Sequence, residues 1–195
     1  MVVKICGITN YRDAADAIDC GADALGFILA RSPRQVTPDT ARRIIRKLPA
    51  SVLKVGVFVN ASIEKVRSAM GLCGFTLVQL HGQEDREYYR RLYPYALKVF
   101  QDKVPGVLRS IKSYGAGIFM LDSGQGGAGR LVDLKIARGA AKFGNMILAG
   151  GLTPDNVAGV IRDVRPYGVD VSSGVEKKPG KKDKRKIAAF IDAVK

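Results

Sequence analysis

The chain has 195 residues, of which 47% are hydrophobic and 26% are charged, and its formal net charge is +14. This length and composition suffice for one substantial core, so we expect a single domain spanning residues 1–195. The chain contains no run of about 18 uncharged apolar residues and no signal-peptide pattern, which excludes a membrane-spanning segment and predicts a cytoplasmic protein.

Short apolar, β-branched segments alternate with amphipathic segments along the chain, which is typical of βα units around a parallel sheet. The predicted strands cover residues 2–6, 24–28, 53–59, 76–81, 96–100, 117–122, 145–149 and 168–172. The predicted helices cover residues 11–20, 40–48, 63–72, 86–93, 104–112, 132–142, 156–165 and 184–194.

Polar residues suited to capping precede four of these helices: Asn10, Thr37, Ser62 and Thr153. Such side chains accept a hydrogen bond from an otherwise unpaired amide of the first helical turn. Eight βα units in one small domain predict an α/β fold, a parallel eight-stranded (β/α)8 TIM barrel of the phosphate-binding type. A doubly wound sheet with fewer true strands is the alternative.

In a barrel of this kind the chemistry lies at the carboxyl ends of the strands. Cys6 ends the first predicted strand, and its alternative role is that of a small buried hydrophobic residue. A catalytic thiolate needs positive potential to lower its pKa, and Lys4 lies on the same face of the strand. Lys4 either supplies that potential or pairs with an inward carboxylate such as Asp170.

Asp122 ends the sixth predicted strand after four apolar residues, and a glycine-rich loop covering residues 124–129 follows. Burial at an apolar strand end raises the pKa of a carboxyl group, which is what a general acid requires. A helix-capping or loop-closing aspartate is the alternative. The glycine-rich loop favours a lid over a site.

Two glycine-containing turns follow the seventh and eighth predicted strands, and we assign phosphate binding to Gly150, Gly151, Ser173 and Gly174. Glycine lets backbone amides approach an anion closely, and barrels commonly bind phosphate at these two loops.

Three further residues at the strand ends are assigned to substrate binding: Arg34, His81 and Asp170. A planar guanidinium binds a carboxylate in bidentate fashion, although a solvated surface arginine is the alternative for Arg34. His81 is expected to position other groups by hydrogen bonding.

The distribution of positive charge indicates which kind of partner the chain binds. A basic chain attracts nucleic acid or a small anion, but residues 177–186, where the positive charge is concentrated, lack aromatic residues for base stacking. We therefore expect a small anionic substrate, neither nucleic acid nor membrane as partner, and a solvated loop at residues 177–182.

The spacing of Cys6, Cys20 and Cys73 matches no metal site, so free thiols and no metal are expected.

The opening Lys4-Ile5-Cys6-Gly7-Ile8-Thr9 resembles that of the phosphoribosylanthranilate isomerases of tryptophan biosynthesis. Further blocks at residues 21–27, 32–34, 55–60, 78–82, 121–122, 148–152 and 168–176 resemble the family's blocks in the same order. The chain departs from the family at residues 126–129 and 132–134, which belong to the predicted lid and its flank and not to the residues that carry the chemistry.

The resemblance implies an aldose–ketose isomerase that converts N-(5-phosphoribosyl)anthranilate by an Amadori rearrangement without a cofactor. It implies that Cys6 is the general base, Asp122 the general acid and Arg34 a contact to the substrate carboxylate, with phosphate bound at the turns of Gly150 and Ser173. It leaves open whether the chain is a monomer or a homodimer.

The sequence leaves two alternative functions open, one within enzymes and one of a different class. The aminosugar isomerase of histidine biosynthesis resembles this family in mechanism but has an aspartate where Cys6 stands, and a dual-substrate enzyme is a further possibility. A basic, non-catalytic nucleic-acid-binding protein predicts salt-sensitive binding to any polyanion and indifference to the substitution Cys6→Ala.

Overall fold

The predicted βα units form a closed parallel barrel in the computed structural model, which describes residues 1–124 and 129–195. The barrel strands are β1 (Val2–Cys6), β2 (Ala24–Ile28), β3 (Leu53–Phe58), β4 (Leu77–Leu80), β5 (Ala96–Gln101), β6 (Ile118–Asp122), β7 (Asn145–Leu148) and β8 (Gly168–Val171). The helices are α1 (Tyr11–Asp19), α2 (Pro38–Ile45), α3 (Ile63–Cys73), α4 (Arg86–Leu92), α5 (Val107–Tyr114), α6 (Leu134–Ala140), α7 (Val157–Val164) and α8 (Lys184–Val194).

The order of the strands decides between the two folds that the sequence allows. Each strand pairs in parallel with the next, and β1 pairs with β8, which closes the sheet. The TIM-barrel prediction is therefore confirmed, and the doubly wound alternative is wrong. Four predicted strands extend one residue too far, so Val59, His81, Ala149 and Ser172 are the first loop residues at the barrel rim.

Three of the four predicted helix caps are confirmed. The side chains of Asn10, Thr37 and Ser62 accept hydrogen bonds from the first turns of α1, α2 and α3. Thr153 does not cap a helix, because α7 begins four residues later. Its backbone amide instead donates to the side chain of Asn156, which also donates to the carbonyl of Gly151 and so fastens the turn after β7.

Apolar packing occurs in two layers. Side chains such as Val3 and Ile5 lie in the large core between the strands and the helices. A smaller apolar cluster fills the barrel interior: Leu97, Val99, Met120, Ile147 and Ala149. Because side chains alternate along a strand, Lys4 and Cys6 face the interior when Val3 and Ile5 face the helices. This alternation of side chains therefore places Lys4 and Cys6 inside the barrel.

A short antiparallel hairpin follows the barrel where the sequence predicted a solvated loop. Its strands are β9 (Glu176–Lys178) and β10 (Lys181–Lys182), after a 3-10 turn at Ser173–Val175. The prediction is wrong for Lys182, whose side chain is buried and paired with Glu176, whereas Lys177, Lys178 and Lys181 are exposed. The sequence of a run of charged residues does not show which of its side chains will be buried in an ion pair.

Two further findings concern the helices and the predicted lid. None of the helices in the two described ranges is long and apolar enough to cross a membrane. The loop predicted to be a lid after Asp122 includes residues 125–128, which lie outside the described residues.

Candidate active site

A cavity of about 330 Å³ opens at the carboxyl ends of the strands. Of the nine residues assigned to the site from sequence, eight line its wall: Cys6, Arg34, His81, Asp122, Gly150, Gly151, Asp170 and Ser173. Gly174 is not part of this wall. A side chain at Gly174 would overlap with the carbonyl oxygen of Leu152, so this glycine allows the loops after β7 and β8 to pack together.

Cys6 ends β1 and is 6% exposed. A Cβ atom at Gly26 of β2 would lie 2.6 Å from Sγ of Cys6 and 3.0 Å from Nζ of Lys4, so this glycine leaves room for both groups side by side. Burial raises the pKa of the Cys6 thiol, and the positive charge of Lys4 offsets only part of that rise. The neutral thiol is therefore the favoured form of Cys6 at neutral pH.

Lys4 takes both of the roles considered from the sequence, because it lies beside Cys6 and also pairs with Asp170. Lys4 and Asp170 face each other in the β1–β8 register, and Nζ of Lys4 lies 2.7 Å from Oδ1 of Asp170. Burial alone would lower the pKa of Lys4, which is 1% exposed, but the charges of Asp170 and of an ionised Cys6 raise it overall. The ammonium remains charged in the barrel interior.

Asp122 is buried at the end of β6 among hydrogen-bond donors. Its Oδ2 lies 3.2 Å from Nε2 of His81. Burial raises the pKa of Asp122, but His81 and the backbone amides of Ser123 and Gly124 lower it overall. The expected rise of this pKa is therefore wrong, because the sequence showed the apolar strand but not the donors that surround its end.

His81 links Asp122 to Gln79, a residue that was not assigned to the site from sequence. Nε2 of Gln79 lies 3.2 Å from Nδ1 of His81, so a hydrogen bond joins the two side chains while Nε2 of His81 faces Asp122. Gln79 is 2% exposed and lines the cavity, and its Oε1 has no partner among the described residues. Its position two residues before His81, as a polar residue in an apolar strand, is the signal that would have identified it.

Arg34 is buried rather than solvated, which excludes the alternative of a surface arginine. Its backbone amide donates to Oγ of Ser32, which shapes the turn after β2. Its side chain lies over Gly7, where a Cβ atom would be 2.6 Å from Cδ of Arg34. The guanidinium donates to the carboxylate of Glu176 and also lines the cavity.

The turns after β7 and β8 present backbone amides at the cavity wall. Gly150 and Gly151 have positive φ angles of 89° and 66°, which glycine adopts without strain. Within the described part of the chain, the amides of Gly151 and Ser173 donate no hydrogen bond. Amides of this kind are suited to binding the oxygen atoms of an anion.

Comparison with known proteins assigns the chain to a family. The family sequence model described as N-(5'phosphoribosyl)anthranilate (PRA) isomerase matches residues 3–193. The chain belongs to this isomerase family. The family is one of aldose–ketose isomerases of tryptophan biosynthesis, so the function implied by the sequence resemblance is confirmed.

Relatives in the family match this chain over nearly its whole length. An N-(5'-phosphoribosyl)anthranilate isomerase of Pelobacter propionicus is 47% identical, over 99% of this chain and 95% of that protein. One from Trichlorobacter lovleyi is 48% identical, over 97% of this chain and 95% of that protein.

Solved structures of the family have the same fold as this chain. The phosphoribosyl anthranilate isomerase of Thermotoga maritima superposes with a TM-score of 0.93 at 40% identity, covering 99% of this chain and 98% of that one. A family structure in complex with reduced 1-(o-carboxyphenylamino)-1-deoxyribulose 5-phosphate superposes with a TM-score of 0.90 at 39% identity, with the same coverage of both chains.

Two charged residues near Arg34 received no role from the sequence. Glu176 was noted only as the end of a family block, and Lys182 only as part of a charge run. Nothing in the local sequence distinguishes Lys182 from its exposed neighbours, because its burial depends on the fold of the hairpin. The sequence therefore identified eight residues of the cavity wall but neither Gln79 nor the charged residues behind Arg34.

Proposed function

We propose that Asp122 is the general acid and Cys6 the general base when this chain converts N-(5'-phosphoribosyl)anthranilate to 1-(2-carboxyphenylamino)-1-deoxyribulose 5-phosphate. Asp122 donates a proton to the furanose ring oxygen, the bond from that oxygen to C1 breaks, and the substrate nitrogen forms a C=N bond to C1. Cys6 then removes the proton from C2, which gives an enolamine. Return of a proton to C1 and loss of one from the C2 hydroxyl give the ketose.

The observation that carries this proposal is that Cys6 and Asp122 line one cavity in a chain of this family. The substrate supplies its own electron sink, because its nitrogen accepts and returns electron density through the C=N bond. The residues need only move protons at C2 and at the ring oxygen. An acid and a base positioned in this way each contribute about 10² to 10⁴ in rate.

Binding of the two anionic groups is assigned to separate parts of the wall. We propose that Arg34 binds the anthranilate carboxylate and that the amides around Gly151 and Ser173 bind the phosphate. The amides of Gly151 and Ser173, which donate no hydrogen bond to the described residues, support the second assignment. His81 is proposed to hold Asp122 in place, and Asp170 to act through its ion pair with Lys4.

The whole chain is proposed to act as one barrel domain spanning residues 1–195 in the cytoplasm, on a small substrate that carries phosphate and carboxylate. The three cysteines are free thiols, which fits a reducing compartment.

The test is the change in anthranilate fluorescence during turnover of freshly generated substrate. We expect Cys6→Ala and Asp122→Asn each to lower kcat by about 10² to 10⁴ because each removes one proton transfer. Both variants should still bind reduced 1-(o-carboxyphenylamino)-1-deoxyribulose 5-phosphate with an affinity close to that of the parent.

Matched controls separate a loss of chemistry from a general effect of substitution. Cys20→Ala changes a half-buried cysteine outside the cavity wall, and Asp163→Asn changes an exposed aspartate of α7. Both are expected to retain parental turnover. Equal losses of affinity and rate in Cys6→Ala or Asp122→Asn would assign that residue a structural role instead.

A further inference from the structure

The charges behind Arg34 form a buried triad with Glu176 at its centre. Nε of Arg34 donates to Oε1 and Oε2 of Glu176 over 2.9 and 3.1 Å, and Nη2 donates to Oε2 over 2.7 Å. On its other side, Oε1 of Glu176 accepts from Nζ of Lys182 over 3.0 Å and from the amide of Gly180 over 3.2 Å. The carboxylate is thus held from two sides.

The geometry of the pair leaves one edge of the guanidinium unused. Arginine has five N–H donors, one on Nε and two on each of the terminal nitrogens. Glu176 occupies the side formed by Nε and Nη2. The edge formed by Nη1 and the second hydrogen of Nη2 makes no hydrogen bond to the described residues, and Arg34 lines the cavity. That edge matches the two oxygen atoms of a planar carboxylate.

The triad also keeps a positive charge at this place. Glu176 on its own would neutralise Arg34, but Lys182 places a second basic group against the same carboxylate. Burial lowers the pKa of Lys182 overall, although the charge of Glu176 opposes that shift. With the Lys182 ammonium charged, the triad carries two positive charges and one negative charge. Burial raises the pKa of Glu176, yet hydrogen bonds and charges from Arg34 and Lys182 lower it overall, so the carboxylate is ionised. An anion that binds at Arg34 therefore meets a net positive site.

The hairpin that carries Glu176 is fastened to the cavity rim. Oγ1 of Thr9 donates to the carbonyl of Gly180 over 2.6 Å, and Nζ of Lys182 donates to the carbonyl of Ser172 over 3.1 Å. These contacts join the hairpin to the loops after β1 and β8. Arg34, on the loop after β2, is therefore positioned from three loops rather than by its own turn alone.

We propose that Glu176 is a positioning residue that determines specificity for the substrate carboxylate, by occupying one side of Arg34 and directing its free edge into the cavity. This inference rests on the proposed function, in which Arg34 binds that carboxylate. Glu176 does not touch the substrate. Its role is to fix the guanidinium in the orientation that receives a carboxylate, with Lys182 maintaining the charge.

The test compares two substrates that differ only in the carboxylate: N-(5-phosphoribosyl)anthranilate and N-(5-phosphoribosyl)aniline. In Glu176→Gln, the amide retains the shape of the side chain but loses its charge and one acceptor. We expect KM for the anthranilate substrate to rise ~10- to 100-fold, the range that corresponds to loss of a charge-assisted hydrogen bond, with kcat changed much less. With the aniline substrate, kcat/KM should change less than about threefold, since no carboxylate is present to be oriented.

Two further variants sharpen the comparison. Glu87→Gln, an exposed position of α4, is the matched control and should match the parent on both substrates. Arg34→Lys keeps the positive charge but loses the planar guanidinium with its paired N–H donors. Its kcat/KM should fall for the anthranilate substrate and change much less for the aniline substrate. In the double variant Glu176→Gln/Arg34→Lys, the free-energy losses in kcat/KM for the anthranilate substrate should not add, because Glu176 acts through Arg34. If Glu176→Gln does not fold, Glu176→Asp, which withdraws the carboxylate by one methylene, should give the same selective loss.

The outcomes separate this inference from the proposed function. Equal losses of kcat/KM on both substrates would overturn the specificity role of Glu176 and leave it a structural one. A parent enzyme that uses both substrates equally well would overturn the assignment of Arg34 to the carboxylate, and this inference with it. A parent enzyme that converts neither substrate would overturn the proposed function itself.

Discussion

The pKa values of Cys6 and Asp122 move in opposite directions. Burial raises the pKa of Cys6, whereas for Asp122 the effect of burial is outweighed by His81 and two backbone amides, which lower its pKa. These shifts favour a thiol and a carboxylate, but the proposed mechanism uses a thiolate and a carboxylic acid. The thiol–carboxylate pair and the thiolate–carboxylic acid pair carry the same number of protons. The reactive thiolate–carboxylic acid form is therefore a minor fraction of the enzyme, and this fraction is constant between the two pKa values.

The pH dependence of kcat/KM is expected to show a broad plateau. Its acid limb should lie below the ordinary aspartate pKa of about 3.9, and its alkaline limb above the ordinary cysteine pKa of about 8.5. Initial rates measured at constant ionic strength across this range test the expectation. A limb close to neutral pH would contradict the assignment of these two groups.

Removal of His81 tests the cause of the acid limb. In His81→Gln the imidazole that lowers the pKa of Asp122 is absent, so this pKa should rise and the acid limb should move to higher pH. The alkaline limb, which belongs to Cys6, should not move. The same linkage affects folding: the stability contributed by Asp122 is present above its unfolded pKa and is lost as the pH falls through its lower folded pKa.

At the scale of single elements, the helix starts follow local rules that the sequence displays. Ser62 accepts a hydrogen bond from the amide of Lys65 at the start of α3. The left-handed Gly74 ends the same helix, with a φ angle of 78°. Local side-chain chemistry of this kind requires no distant partner, which is why α3 could be predicted closely from the sequence.

Loss of this cap should be measurable in isolation. Ser62→Ala should lower the free energy of unfolding by about 1 kcal/mol, because one amide of the first turn loses its partner. The control is Ser68→Ala at an exposed interior position of the same helix, which should stay within about 0.5 kcal/mol of the parent. Urea unfolding measures both. A cap variant as stable as the control would show that water replaces Ser62 at no cost.

The C-terminal hairpin is the element that the sequence did not reveal. Its strands contain only charged residues, so neither alternation of apolar residues nor hydrophobicity marks them. The hairpin forms because Glu176 and Lys182 have buried partners on the loops after β2 and β8. Such partners become visible only once the barrel has brought those loops together.

For the molecule as a whole, closure of the barrel depends on the seam between β1 and β8. Lys4 and Asp170 are separated by 166 positions in sequence and form a buried ion pair across this seam. A buried charge that loses its partner is strongly destabilising. The seam therefore joins the two ends of the chain and also supplies the cation beside Cys6.

Breaking this pair on one side should destabilise the fold. Lys4→Met leaves the carboxylate of Asp170 without its cation, and the free energy of unfolding should fall by about 3 to 5 kcal/mol. Lys65→Met, at an exposed position of α3, should change it by less than about 0.5 kcal/mol.

Chemical denaturation of Lys4→Met, Asp170→Asn and the double variant completes the cycle. The double variant should lose less stability than the sum of the two single losses, because it buries no unpaired charge. Strict additivity would show that the two charges do not stabilise each other.

The amino-acid sequence alone predicts the repeating βα pattern, three of the four proposed helix caps and the polar residues at the strand ends. These features depend on local periodicity and on the rule that parallel strands end at one rim. Together with the family motifs, they suffice to predict the barrel, eight residues of the cavity wall and the reaction.

The electrostatics of the site, in contrast, depend on contacts that form only in the folded barrel. The direction of the Asp122 pKa shift, the burial of Lys182 and the orientation of Arg34 all depend on partners that are distant in sequence. An ionisable group responds to every donor and charge within a few ångströms, and barrel closure selects those neighbours from the whole chain. The identity of the polar residues at the rim is therefore local information, whereas their charge states and orientations are a property of the closed barrel.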